Sequence, residues 1–101
     1  MHLTNHEVER LLVYVAADLA RRRRDEGIAL NYPETVALVS DEMFEAARAG
    51  RGYEDVLESG REAVDREDMM AGVPSMIDTI QVEATFPEGT KLVTLTDPFD
   101  A

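Results

Sequence analysis

Val8, Leu11, Leu12, Val15 and Leu19 follow one another in short steps, mostly of three or four residues. That spacing gathers side chains on one face of an α-helix. We read them as the buried stripe of a first helix. Its start is marked by Thr4-Asn5-His6-Glu7, a capping box in which the Thr4 hydroxyl accepts from the Glu7 amide and the Glu7 carboxylate reaches back to the Thr4 amide. Leu3 and Val8 are spaced for a hydrophobic staple around that cap. Arg21 to Arg24 lie near the far end, where positive charge suits the helix dipole, and Gly27 is placed to terminate the helix.

A second helix begins at Asn31-Tyr32-Pro33-Glu34, with Asn31 as cap and Pro33 tolerated in the first turn. Val36, Val39, Met43, Phe44 and Ala47 supply its apolar face, and Gly50 and Gly52 end it. A shorter third helix is expected from Tyr53 to Ala63, with Val56 and Leu57 inward and a break at Gly60. Asp65-Arg66-Glu67-Asp68 reads as the cap of one or two further turns carrying Met69 and Met70, and Pro74 prevents a long continuation.

The period then changes from helical to alternating. Ile80, Val82, Ala84 and Phe86 alternate with Thr79, Gln81, Glu83 and Thr85, the pattern of a half-buried strand. Pro87-Glu88-Gly89-Thr90 is a turn, and Leu92 to Thr96 form the return strand. Two registers fit. A four-residue loop pairs Phe86 with Lys91 and Ala84 with Val93; a three-residue loop with a bulge pairs Ala84 with Leu92. The first puts Val93 and Leu95 on the apolar face and is preferred. A lone hairpin is marginal in water, so helices must cover its apolar face. The predicted fold is α+β: an N-terminal helical layer of about four helices followed by a C-terminal antiparallel β-hairpin, as a single domain over residues 1–101.

Composition narrows the function. The chain has no cysteine, which excludes a disulfide scaffold and thiol chemistry. Its formal net charge is -11, which disfavours nucleic acid and anionic membranes. No stretch approaches a membrane span of roughly 18 apolar residues, and the N-terminus lacks a signal-peptide pattern. We therefore expect a cytoplasmic protein. Lys91 is the only lysine; an acidic, lysine-poor surface stays soluble in high salt and points to a salt-loving or high-GC source.

Candidate chemistry is sparse. His2 and His6 are four apart, but His2 precedes the cap, and no third metal ligand stands at motif spacing. The carboxylates Asp41, Glu42 and Glu45, then Glu54, Asp55 and Glu58, then Glu62, Asp65, Glu67 and Asp68, read as solvated acidic faces. Ser40, Ser59 and Ser75 sit in no nucleophile elbow. Arg21 to Arg24 are either an RNA contact or a helix end paired with Asp18, Asp25 and Glu26; the acidity of the chain favours the second. The residues alone describe an acidic α+β domain with no catalytic, cofactor-binding or metal residue, and with a hairpin edge able to accept a neighbouring chain. Tyr32, the Met69-Met70 pair and that edge are the candidate contacts.

Several segments resemble the urease gamma-subunit family. They are Met1-His2-Leu3-Thr4 with Glu7, Leu30-Asn31-Tyr32-Pro33-Glu34 with Val36-Ala37-Leu38, Glu45-Ala46-Ala47-Arg48 with Gly50, Gly72-Val73-Pro74-Ser75-Met76-Ile77, and the long block from Gln81 to Thr94. The resemblance runs in order over essentially the whole chain. Departures are Asn5-His6 after the opening threonine, Ala46 where glycine is common, and Thr96 before the final Asp-Pro. The resemblance implies a non-catalytic structural subunit of urease, the hydrolase that converts urea to ammonia and carbamate, with no cofactor in this chain. It implies a dinuclear nickel site bridged by a carbamylated lysine in a partner alpha subunit. It also implies beta and alpha partner subunits, the heterotrimers assembling as a trimer, with no nucleic acid and no membrane. The runner-up reading is a free-standing acidic interaction module.

Overall fold

The computed structural model describes residues 1–99. Helix α1 spans Asn5–Asp25, α2 Tyr32–Arg48 and α3 Tyr53–Glu62. A single 3-10 turn, Arg66–Asp68, and the short α4, Val73–Met76, lead into strands β1, Thr79–Phe86, and β2, Gly89–Thr96. This is the predicted α+β order of helices followed by an antiparallel hairpin.

Both capping boxes form as read. The Glu7 amide donates to the Thr4 hydroxyl at 3.1 Å and the Thr4 amide to the Glu7 carboxylate at 2.8 Å. The Asn31 side chain and Glu34 make the same reciprocal pair at 3.0 and 2.9 Å. These bonds satisfy amide donors that the first turn of each helix leaves open.

Helix α2 is the centre of the molecule. Leu38, Val39 and Met43 are fully buried, Ala47 and Phe44 nearly so, and α1, α3 and β1 all pack on it. The hairpin lays Ile80, Ala84, Phe86, Val93 and Leu95 on the same core. The Tyr53 and Phe86 rings stack with centroids 6.2 Å apart. Phe99 joins the core from the C-terminal segment, and Arg66 donates to its carbonyl.

Helix α1 departs from expectation. Its aliphatic stripe faces outward: Leu12 is 62% and Val15 61% exposed, with Val8, Leu11 and Leu19 also exposed. The inner face is instead Ala17 and Ala20, fully buried, with Val13 and Ala16 packed against the core. Small side chains let the α1 and α2 backbones approach, and the long arginines of α1 reach over the seam to polar partners on α2 and beyond. Periodicity locates an apolar face; it does not say what covers it.

Gly60 does not break α3. It lies against the core, and a Cβ built there would fall 2.8 Å from Met43 Sδ and 2.9 Å from Leu95 Cδ2. The glycine is a packing requirement, and tertiary contact overrides its low helix propensity.

The hairpin has neither predicted register. Phe86 pairs with Gly89, Ala84 with Lys91, Val82 with Val93 and Ile80 with Leu95. The loop is therefore Pro87-Glu88 alone. Gly89 is the first residue of β2 and takes φ 129°, a bend open to glycine. Proline at the first loop position forbids the primed turns of ordinary two-residue hairpins, so the reversal is completed inside the strand. The shift from the preferred register is two residues, so facing is kept, and Val93 and Leu95 are buried as expected.

Candidate functional site

The basic run of α1 is spent on its own fold. The Arg21 guanidinium donates to Asp41 at 2.6 Å and Glu42 at 2.9 Å, both on α2. Arg23 donates to Glu34. Arg24 donates to the Ala63 carbonyl at 2.8 Å, tying α1 to the end of α3. Only Arg22 pairs locally, with Glu26 at 3.4 Å. The structural reading of the run holds, but Asp18 and Asp25 are not its partners. Asp41, expected on a solvated face, is 5% exposed because Arg21 compensates it across the helix seam.

Glu34 shows how tightly the seam is built. Burial pushes its carboxyl up, but the Asn31 amide and the Arg23 guanidinium outweigh that and hold it below the usual carboxylate value. Arg21 is shifted further up: burial works against its charge, and the two carboxylates outweigh burial. No buried side-chain nitrogen or oxygen lacks a partner among the described residues. A satisfied network of this kind rigidifies the packing it spans.

His2 and His6 are both exposed, His2 ahead of α1 and His6 in its first turn. Among the described residues, no group of three or more His, Cys, Asp or Glu side chains is arranged to hold a metal ion. Among them, too, no helix is long and apolar enough to cross a membrane. Of the candidate contacts, Tyr32 and Met70 are exposed at 43% and 47%, whereas Met69 is buried. Met69 and its neighbours bind Leu30 by backbone: the Leu30 amide donates to the Asp68 carbonyl and the Met70 amide to the Leu30 carbonyl, each at 2.8 Å.

What distinguishes the surface is the outer face of α1. Val8, Leu11, Leu12, Val15 and Leu19 form one stripe on the helix side away from Ala17 and Ala20. Tyr14 stands beside it, 51% exposed. Scattered exposed aliphatics are ordinary, but a contiguous stripe over three turns is the mark of an interaction face. The stripe is plain in the sequence, but large aliphatics at helical spacing usually belong to a core, so spacing alone points it the wrong way.

Two cavities flank the N-terminal half of α1, the first on its inner side and the second reaching round to Leu11 and Tyr14 at the margin of the stripe. One, of about 450 Å³, lies between His6, Glu9, Arg10 and Val13 of α1 and Gln81, Val82 and Glu83 of β1, floored by Ser40 and Phe44. The other, of about 500 Å³, includes Tyr14, Glu45 and Thr85. His6 and Arg10 line both, and the Arg10 guanidinium rests 3.6 Å from the Phe44 ring centroid.

Two matches to known proteins cover nearly the whole chain. The sequence model of the family described as "Urease, gamma subunit" matches residues 1–99. The chain is 53% identical over 98 residues to the "Urease subunit gamma" of Streptomyces coelicolor, covering 97% of this chain and 98% of that one.

Proposed function

The chain belongs to the urease gamma-subunit family, and from that premise we propose that it is a non-catalytic structural subunit of urease. The observation that carries this role is the exposed α1 stripe. Each fully buried Leu or Val side chain stabilises an interface by roughly 1.5–3 kcal/mol before the cost of association. A stripe this broad supports docking to another chain and gives no help to a freely soluble monomer. Its partners in this reading are the urease beta and alpha subunits, in a heterotrimer that assembles further into a trimer, in the cytoplasm. The chain acts as a single domain.

Urea hydrolysis to ammonia and carbamate belongs to the alpha subunit in this reading, as does the dinuclear nickel centre. The side chains support placing nickel elsewhere: the two histidines are exposed, and among the described residues no three His, Cys, Asp or Glu side chains are arranged to hold a metal ion. No step of the reaction is assigned to this chain.

Co-expression with the other urease subunits tests the role. The expected result is co-purification, with urea hydrolysis by the complex and none by this chain alone. Urea hydrolysis or tight nickel binding by the isolated chain would overturn it.

A further inference from the structure

The hairpin register decides which backbone groups face outward. The Thr94 amide donates to the Tyr53 hydroxyl at 3.3 Å, so it points away from β1. In an antiparallel ladder such residues sit in non-hydrogen-bonded pairs, and these alternate along the strands. Thr94 pairs with Gln81, Leu92 with Glu83 and Thr90 with Thr85. The amides and carbonyls of Gln81, Glu83 and Thr85 therefore point away from β2. Helix α3 covers the β2 edge at Thr94. Among the described residues, no backbone bond outside the hairpin ladder reaches Gln81, Glu83 or Thr85.

An unpaired edge is normally blunted by proline, a bulge, charge or a covering element. Strand β1 has eight residues, no proline and one charge, Glu83. Beside it runs the trough formed by the two cavities, bounded by β1 on one side and α1 on the other. Glu9, Glu45 and Glu83 line this trough, and none of the three makes an ion pair among the described residues. Arg10 is held on the Phe44 face, and Val13 and Val82 supply apolar wall.

We propose that the β1 edge receives an extended segment of a partner chain as a third strand, basic overall and apolar where it meets Val13 and Val82. Backbone pairing at Gln81, Glu83 and Thr85 gives affinity, and lysine or arginine side chains opposite Glu9, Glu45 and Glu83 give selectivity. A second copy of this chain fits poorly, because it brings the same formal charge of -11. The pairing rests on the chain being a subunit of an assembly, and the trough meets the α1 stripe only at Leu11, leaving Val8, Leu12, Val15 and Leu19 outside it.

Amide exchange in the full chain, alone and in the co-expressed complex, is the first test. The amides of Ile80, Val82 and Ala84 are expected to be protected in both. Those of Gln81, Glu83 and Thr85 are expected to exchange fast in the free chain and at least about tenfold more slowly in the complex. Glu83→Pro and Glu83→Ala are the second. Proline deletes the outward donor and leaves the β1–β2 ladder bonds, a position where an edge strand tolerates it. It should weaken association roughly tenfold or more relative to Glu83→Ala, which removes only the charge. Protected Ile80 and Val82 amides verify that the proline variant is folded; if they are lost, exchange in the unmodified complex decides. A complex that leaves Gln81, Glu83 and Thr85 exchanging as in the free chain overturns the third strand and leaves the subunit role standing. So does a folded Glu83→Pro that binds as well as Glu83→Ala. Failure of any complex to form overturns both.

Discussion

Gly60 and Met43 meet so closely that the Cα of one occupies the only space the other leaves: a Cβ at Gly60 would lie 2.8 Å from Met43 Sδ and 2.9 Å from Met43 Cγ. Alanine is the better helix former by about 1 kcal/mol. Met43 and Leu95 are both fully buried, so neither can move aside without disturbing the core. Overpacking costs about 1–3 kcal/mol. We predict that Gly60→Ala lowers the unfolding free energy in urea despite its propensity. An unchanged or raised midpoint would show that the core relaxes there.

Glu34 makes stability depend on acid. Its folded pKa lies below the ordinary value, so its contribution is fully present above the pKa of the unfolded chain. It is lost as pH falls through the folded value. Comparing the native chain with Glu34→Gln from pH 7 to 3, the native chain should lose the larger amount, and the two curves should converge at the acid end. Parallel curves would refute the linkage.

Arg21 holds a buried carboxylate. Replacing it with alanine leaves Asp41 uncompensated, and we expect a loss of roughly 1–3 kcal/mol, discounted from a deep ion pair because Arg21 is 27% exposed. Arg21→Lys should recover much of this, since both bonds leave a single guanidinium nitrogen and an ammonium carries three donors. The same engagement argues against RNA. Salt-sensitive RNA binding lost in Arg21→Ala would reverse that conclusion.

The α1 stripe should separate folding from association. Leu12→Glu with Val15→Glu places charge on positions already exposed at 62% and 61%. The stability of the isolated chain should change by no more than about 0.5 kcal/mol per site. Co-purification with the other urease subunits should fall at least roughly tenfold. A variant that still assembles would move the docking face elsewhere.

Much of the fold is written locally. Thr4 with Glu7 and Asn31 with Glu34 announce two helix starts, and each bond expected from them is present. The change of period at Ile80 announces the hairpin and its buried face. What failed was information that lives between elements. The side of α1 turned inward depends on Ala17 and Ala20 fitting α2, and nothing in the helix alone favours two alanines over five large aliphatics. The α3 glycine signals weakness until Met43 and Leu95 are set beside it. The loop length depended on Gly89 serving as strand, not turn. The partners of Arg21, Arg23 and Arg24 lie 20, 11 and 39 positions away, beyond the reach of helical spacing.

The pair of backbone bonds between Leu30 and the Asp68–Met70 segment closes the middle of the chain on itself. Helices α2 and α3 lie inside that ring, and α1 lies outside it, fastened through its seam with α2 and the Arg24 bond to Ala63. Native-state opening should therefore be ordered in free energy. Helix α1 can swing away while the ring stays shut, so its amides should exchange through a low-energy opening and those of α2 only on global unfolding. The element we propose as the docking face would then also be the one that the chain lets go of first.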